Sequence, residues 1–213
     1  MSSAGDSKAK LRAQVRRARR ARTLAAAEAG AERAASARSC ASYAVAAAAS
    51  AVLAALPRSS CVAAYRALET EPPTEALIDQ ALSAGLTVIV PELLADNDLD
   101  WRAVRPDGSV GPLLGREALT AAELIVVPAL LLDRGGRRLG QGGGSYDRAL
   151  ARRSPTALVI AVVGDEELVD DPLPVDAHDA AVDGVITPGG GLVVLAPVRG
   201  TASARPPSRP ARP

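Results

Sequence analysis

The spacing of apolar residues changes period several times along the chain, and each change marks an element. In residues 8–24, KAKLRAQVRRARRARTL, Leu11, Val15, Ala18 and Arg22 recur along one face at helical spacing with Arg or Lys around the rest, which predicts a basic helix. Residues 25–56 are alanine-dense, so high intrinsic propensity predicts one long or split helix. The period then shortens. Residues 61–65 form a short apolar run, 74–84 return to helical spacing after Pro72 and Pro73, and 87–90 are a short β-branched run ending at Pro91. Strand, helix and strand within that span predict a βαβ unit with parallel strands, whose functional residues gather beyond the strand C-terminal ends. Residues 123–132, ELIVVPALLL, read as the most apolar strand. A helix over 146–153, a strand over 157–163 and an acidic turn over 164–171 follow. The expected fold is therefore a single α/β domain, a mostly parallel sheet flanked by helices on both faces, spanning 8–198. A flexible N-terminus (1–7) and a Pro/Arg-rich tail without apolar pattern (199–213) flank it.

Composition changes this picture in three places. Apolar residues make up 48% of the chain but aromatics only 2%, with no Phe, so the core has to be aliphatic and Tyr43, Tyr65, Trp101 and Tyr146 become positions to follow. The net charge of +1 conceals a basic stretch at 8–38 and acidic stretches at 69–100 and 165–183, and predicts no nucleic-acid partner. Two cysteines, Cys40 and Cys61, support neither a disulfide framework nor a zinc motif and are expected as buried thiols in a reducing compartment. The N-terminus has no apolar core within the usual signal-peptide distance, and 41–56 is too short and alanine-rich to span a bilayer, so a cytoplasmic protein away from membranes is expected; a monomer is expected as well.

Candidate chemistry centres on residues 137–150, RRLGQGGGSYDRAL. Gly140, Gly142, Gly143 and Gly144 directly precede a helix-compatible segment carrying Tyr146, Asp147 and Arg148, with Arg137 and Arg138 in front. Glycines let backbone amides approach a ligand, and amides at a helix start favour an anion. A flexible turn is the plainer alternative, and neither GxxxxGK[ST] nor GxGxxG is present. The basic helix reads as a solvated face, although Lys8, Lys10 and Arg12 at its start could close over a phosphate. After the first strand, YRALETEPPT carries Glu69 and Glu71, which either stabilise the next helix start or serve a ligand. Trp101, in the Asp-rich segment 96–107, reads as a ring packed beneath a loop. Near the end of the fold, His178 reads as a structural histidine beside Asp179, with Asp183 four residues on. Asp147 and Asp179 could supply the one or two carboxylates that Mg²⁺ needs beside a nucleotide.

In this order, the segment at Lys8 to Arg12, YRALETEPPT, the strand end at Pro91, RRLGQGGGSYDRAL and HDAAVDGVIT resemble the 5-formyltetrahydrofolate cyclo-ligase (5,10-methenyltetrahydrofolate synthetase) family over residues 8–187. The resemblance implies ATP- and Mg²⁺-dependent cyclisation of 5-formyltetrahydrofolate to 5,10-methenyltetrahydrofolate with release of ADP and phosphate, and no covalent enzyme intermediate. It implies ATP contacts from Lys8, Arg12, Arg138, Leu139, Gly140, Gln141, Gly142, Gly143, Gly144 and Tyr146. Folate contacts would come from Arg66, Glu71, Gln141, Gly143, Ser145 and Tyr146, metal ligation from Asp147 and Asp179, and support of phosphoryl transfer from Arg138 and Asp147. Two positions depart from the family pattern: Ser145 stands where relatives commonly carry a tyrosine, and Gln141 and Gly143 stand where some carry basic residues. A non-catalytic folate or nucleotide binder on the same fold, and a kinase of another small molecule, are the competing classes.

Overall fold

The computed structural model describes residues 4–174, 176 and 179–195. The expectations for His178 and for the tail 199–213 lie outside the described residues. Two helices open the chain, α1 (Ala4–Glu28) and α2 (Ala31–Ala55), divided where Gly30 takes a φ of 114° that a helix cannot continue through. The split reading of the alanine-dense stretch is therefore the correct one. After them come β1 (Cys61–Ala63), α3 (Glu75–Ser83), β2 (Thr87–Leu93), β3 (Leu99–Val104), β4 (Val110–Leu113), β5 (Ala122–Pro128), β6 (Leu131–Asp133), β7 (Arg138–Leu139), α4 (Ser145–Leu150), β8 (Leu158–Val162), β9 (Leu168–Val169), β10 (Gly184–Thr187) and β11 (Gly191–Val194).

Eight strands form one sheet in the order β11-β10-β8-β5-β1-β2-β3-β4, and β7-β6-β9 form a small second sheet. The large sheet is mixed rather than mostly parallel. Its centre, β10-β8-β5-β1-β2, is parallel, but β11 on one edge and β3 and β4 on the other run antiparallel. β3 and β4 escape a hydrophobicity reading because Asp, Arg, Gly and Pro interrupt them, and β11 because it is only four residues long. The expected strand at 123–132 is also two strands. β5 loses its parallel partner after Pro128, which pairs with the last residue of β8, and the chain turns so that β6 pairs with β7 and β9 instead. Pro91 does not end β2. Its nitrogen carries no hydrogen and cannot extend the parallel ladder beyond the bond from the Ala64 amide to the Ile89 carbonyl, but β2 continues against β3, where Pro91 pairs with Trp101.

Packing follows the strand period of two. Leu124 and Val126 of β5 face α2 and α3, joining Val45, Leu53, Leu77 and Val88. Ile125 and Val127 face the other side, joining Trp101, Leu119, Leu150 and Val159. Trp101 is thus core, 1% exposed, as a packed tryptophan was expected to be. A third cluster of Val15, Leu130, Leu131, Leu139 and Leu173 fixes α1 to the small sheet. The buried line on α1 runs through Lys8, Val15 and Arg19, whereas the expected Ala18 and Arg22 are exposed. Two charged residues on the inward face hide the period from an apolar count.

Cys40 is exposed on α2 and Cys61 is only half-buried, so the expectation of two buried thiols does not hold. Burial pushes the Cys61 thiol up to about 11, with Glu123 adding to it. The α2 helix is longer than the 41–56 stretch considered above, and by length and composition it is apolar enough to cross a membrane. One face of it, through Val45, Ala49 and Leu53, packs onto the sheet.

Candidate functional site

A cleft of about 410 Å³ opens where the parallel strands end. Pro128, Ala129 and Leu130, between β5 and β6, line it together with Leu139 of β7. The loop 140–144 and the start of α4 form one wall, α1 brings Lys8 and Arg12, and the segment after β1 brings Glu71. Leu93 and Leu99 enter from the β2–β3 hairpin, and Asp176 and Asp179 from the segment before β10.

Arginines hold the glycine loop by its carbonyls. Arg12 Nε donates to the Gly140 carbonyl at 3.0 Å, and Arg16 donates to the Gln141 carbonyl at 2.5 Å and to Gln141 Oε1 at 2.9 Å. Arg148 reaches the Gly143 carbonyl at 2.8 Å and the Asn97 carbonyl at 2.6 Å, tying the loop to the hairpin. In a planar peptide a carbonyl and the following N–H point in opposite directions, so the amides of Gln141, Gly142 and Gly144 turn away from these arginines. Gly142 has a φ of 104°, a conformation that side chains rarely adopt, and a Cβ there would stand 3.4 Å from Arg12 Nε. The helix behind the loop covers only Ser145–Leu150 rather than 146–153, so its dipole is small and the nearby side-chain charges matter more.

Those charges are paired. Arg138, buried under the loop, donates to Asp147 Oδ1 at 2.6 Å and lies with its guanidinium carbon 5.8 Å from the centre of the Tyr146 ring. Asp147 Oδ1 also accepts from the Ala180 amide at 3.4 Å, which brings Asp147 beside Asp179 in space. Lys8 Nζ donates to Asp176 Oδ2 at 2.7 Å and to Asp179 Oδ2. Burial would lower the Lys8 ammonium, but the bonds to Asp176 and Asp179 outweigh it and hold its pKa above the ordinary value. Burial, opposed by Arg138 and reinforced by Glu71, pushes the Tyr146 phenol up, so it remains a neutral donor at neutral pH. Burial and then Glu71 push the Tyr65 phenol up likewise.

Magnesium fits the donor set. Among the described residues no group of three or more His, Cys, Asp or Glu can hold a metal unaided. Carboxylates in one phosphate-sized cleft nevertheless suit an ion that takes its remaining ligands from phosphate and water.

The fold brings together nearly all of the residues singled out in the sequence. Lys8, Arg12, Glu71, Arg138, Leu139, Gly140, Gln141, Gly142, Gly143, Gly144, Ser145, Tyr146, Asp147 and Asp179 all line the cleft. Arg66 does not. It is exposed and donates to the Gly108 carbonyl at 2.5 Å. Lys10 is exposed as well. The two glutamates separate clearly: Glu69 is exposed, whereas Glu71 is buried and its Oε2 accepts the Leu68 amide at 3.0 Å. Glu75, not either of them, occupies the first turn of α3. Residue types alone missed Asp176, Arg16 and the apolar lining by Leu93, Leu99, Pro128, Ala129 and Leu130. Only Asp176 carried a signal, its place beside Asp179.

The cleft sets a glycine loop and basic side chains together with an apolar lining and one buried carboxylate, Glu71. The profile of the 5-formyltetrahydrofolate cyclo-ligase family matches residues 4–188. A 5-formyltetrahydrofolate cyclo-ligase of Mycolicibacterium smegmatis is 41% identical over 151 residues, covering 63% of this chain and 76% of the relative. One from Escherichia coli K12 is 30% identical over 141 residues, covering 60% and 77%. The solution structure of Aquifex aeolicus 5,10-methenyltetrahydrofolate synthetase has the same fold, with a TM-score of 0.62 at 24% identity over 94% of this chain and 99% of that one.

Proposed function

Because the chain belongs to the 5-formyltetrahydrofolate cyclo-ligase family, we propose that its cleft binds ATP and 5-formyltetrahydrofolate side by side and closes the folate to 5,10-methenyltetrahydrofolate, releasing ADP and phosphate. One observation carries the reading. A single cleft joins an arginine-held glycine loop to a buried carboxylate, Glu71, and to an apolar lining.

The formyl oxygen attacks the γ-phosphorus and ADP leaves. The resulting iminium phosphate is electrophilic at its carbon, N10 adds there and loses its proton, and phosphate departs with the former formyl oxygen. Such a transfer needs positioning and charge neutralisation rather than a nucleophilic side chain. The loop amides, Arg12 and Arg138 receive the phosphates. Asp147 keeps Arg138 oriented through its 2.6 Å bond. When bound, a magnesium ion on Asp147 and Asp179 would neutralise phosphate charge and polarise the γ-phosphoryl group. Glu71 accepts a hydrogen bond from the folate, whose ring system lies against Leu93, Leu99 and Ala129, and the neutral Tyr146 phenol donates between the two substrates. Ser145, at the first residue of α4, offers a hydroxyl in place of a ring.

Purified protein incubated with 5-formyltetrahydrofolate, ATP and Mg²⁺ tests the proposal through the absorbance of the methenyl product. One ADP is expected per product formed, and no product without ATP. Ligand binding without any product would leave only a binding protein.

A further inference from the structure

Lys8 is harder to reconcile with a simple anion cradle. Its side chain is almost fully buried, and its ammonium is spent on carboxylates, Asp176 Oδ2 at 2.7 Å and Asp179 Oδ2. Two hydrogen bonds hold the two acids together. The Asp176 amide donates to Asp179 Oδ2 at 2.8 Å, and the Asp179 amide donates to the Asp176 carbonyl at 3.1 Å. Two carboxylates gathered this closely repel unless a cation lies between them, and here that cation is an ammonium. Asp147, which accepts the Ala180 amide next to Asp179, is neutralised by Arg138 at 2.6 Å. The carboxylates suited to a divalent ion are therefore each occupied by a cation from the phosphate-facing wall.

We propose that Lys8 is a resident counter-ion of Asp176 and Asp179, displaced when a divalent cation and a nucleotide polyphosphate enter together, its ammonium passing from the carboxylates to phosphate oxygen. The inference rests on the metal reading above and adds Asp176 to it. The two basic residues differ in what they can do. A lysine ammonium is a point charge on a flexible stem and can exchange partners over a short distance, whereas Arg138 is fixed by Asp147 and by the ring beneath it. Metal entering alone would strand the ammonium beside Arg12 and Arg138, with no anion to receive it. Polyphosphate entering alone would have to draw the ammonium away from both carboxylates with no cation arriving to replace it. Each ligand removes the cost of the other, so they bind with positive coupling, and the coupling is reciprocal.

Mn²⁺ followed by electron paramagnetic resonance of the free ion, with the full chain and with or without a non-hydrolysable ATP analogue whose own Mn²⁺ binding is measured without protein and subtracted, tests this. The wild-type chain should take up Mn²⁺ about tenfold more weakly without the analogue than with it, within the usual range of coupled sites. Lys8→Met should bind Mn²⁺ without the analogue about as tightly as the wild-type chain does with it, and adding Asp176→Asn should remove that gain. Circular dichroism verifies the fold of each variant. If Lys8→Met shows no gain while both proteins take up Mn²⁺ with the analogue, the counter-ion role is overturned and the metal reading stands. If neither takes up Mn²⁺ even with the analogue, the metal reading fails and this inference with it. Should Lys8→Met not fold, Asp176→Asn alone decides: weaker Mn²⁺ uptake with the analogue supports the shared site, and unchanged uptake overturns it.

Discussion

Arg19 fastens the basic helix to the rest of the molecule, and replacing it by Met should cost more than any other single change on that helix. Its guanidinium donates to both oxygens of Glu167, at 2.8 and 2.6 Å, and to the Ala129 carbonyl at 2.6 Å. Both side chains are buried, 2% and 3% exposed. Removing one partner of a buried pair typically costs about 3–5 kcal/mol because the other charge is left unpaired. Arg22, half exposed, still reaches Glu167 Oε1 at 2.7 Å, so we expect the lower end, about 3 kcal/mol. For a chain of this size that corresponds to a fall in Tm of roughly 6–12 °C. The double variant Arg19→Met/Glu167→Gln removes the stranded charge while keeping an acceptor for the Gly164 amide, so it should recover at least about 1 kcal/mol. The pH dependence has a definite sign. Burial raises the Glu167 carboxyl, but Arg19, the Gly164 amide and Arg22 hold it below its ordinary value of 4.5. Its contribution is therefore complete at neutral pH and is lost only as pH falls through the lowered value. The gap between wild type and Arg19→Met should accordingly narrow in acid. Urea denaturation at pH 7 and below 4.5 measures all three quantities. An Arg19→Met protein within about 0.5 kcal/mol of wild type, or a double variant no better than the single, would refute the reasoning.

Three further outcomes concern the cleft. Glu71→Gln removes a charged acceptor, and kcat/KM for the folate should fall by about 10- to 100-fold in steady-state assays with the KM for ATP little changed. Gly142→Ala forces a side chain into a φ of 104° against Arg12, at a cost of about 1–2 kcal/mol, so a several-fold rise in the KM for ATP should accompany a slightly lower melting temperature. Arg16→Ala sacrifices two exposed bonds to Gln141, and should change stability by less than about 0.5 kcal/mol while raising the KM for ATP.

The residues that form the cleft were legible because their chemistry is local. A glycine run before Tyr-Asp-Arg, a Glu just past a strand and an Asp near the end of the fold each announce themselves by type and position. The central strands were legible for the same reason, since β1, β5 and β8 are dense in Val, Ile, Leu and Ala. What stayed hidden depends on tertiary pairing. The strands β3 and β4 lie outside the parallel centre of the sheet and carry Asp, Arg and Gly, so a periodicity count discards them. The inward face of α1 is lined by Lys8 and Arg19, whose partners lie 110 or more positions away in the chain, so no window along the helix could show that they are buried. Pro91 reads as a strand end until β3 is seen to pair with it and with the two residues after it. Leu93 and Leu99 are ordinary hairpin leucines in the sequence and become cleft residues only because Arg148 ties the hairpin to the glycine loop.

The central claim is that the formyl oxygen itself is phosphorylated within this cleft, and an isotope can follow that atom. With 5-formyltetrahydrofolate carrying ¹⁸O in the formyl group, ATP, Mg²⁺ and the wild-type chain, mass spectrometry of the released phosphate should find one ¹⁸O for each methenyl product formed. Unlabelled phosphate, with the label passing to water, would contradict the account.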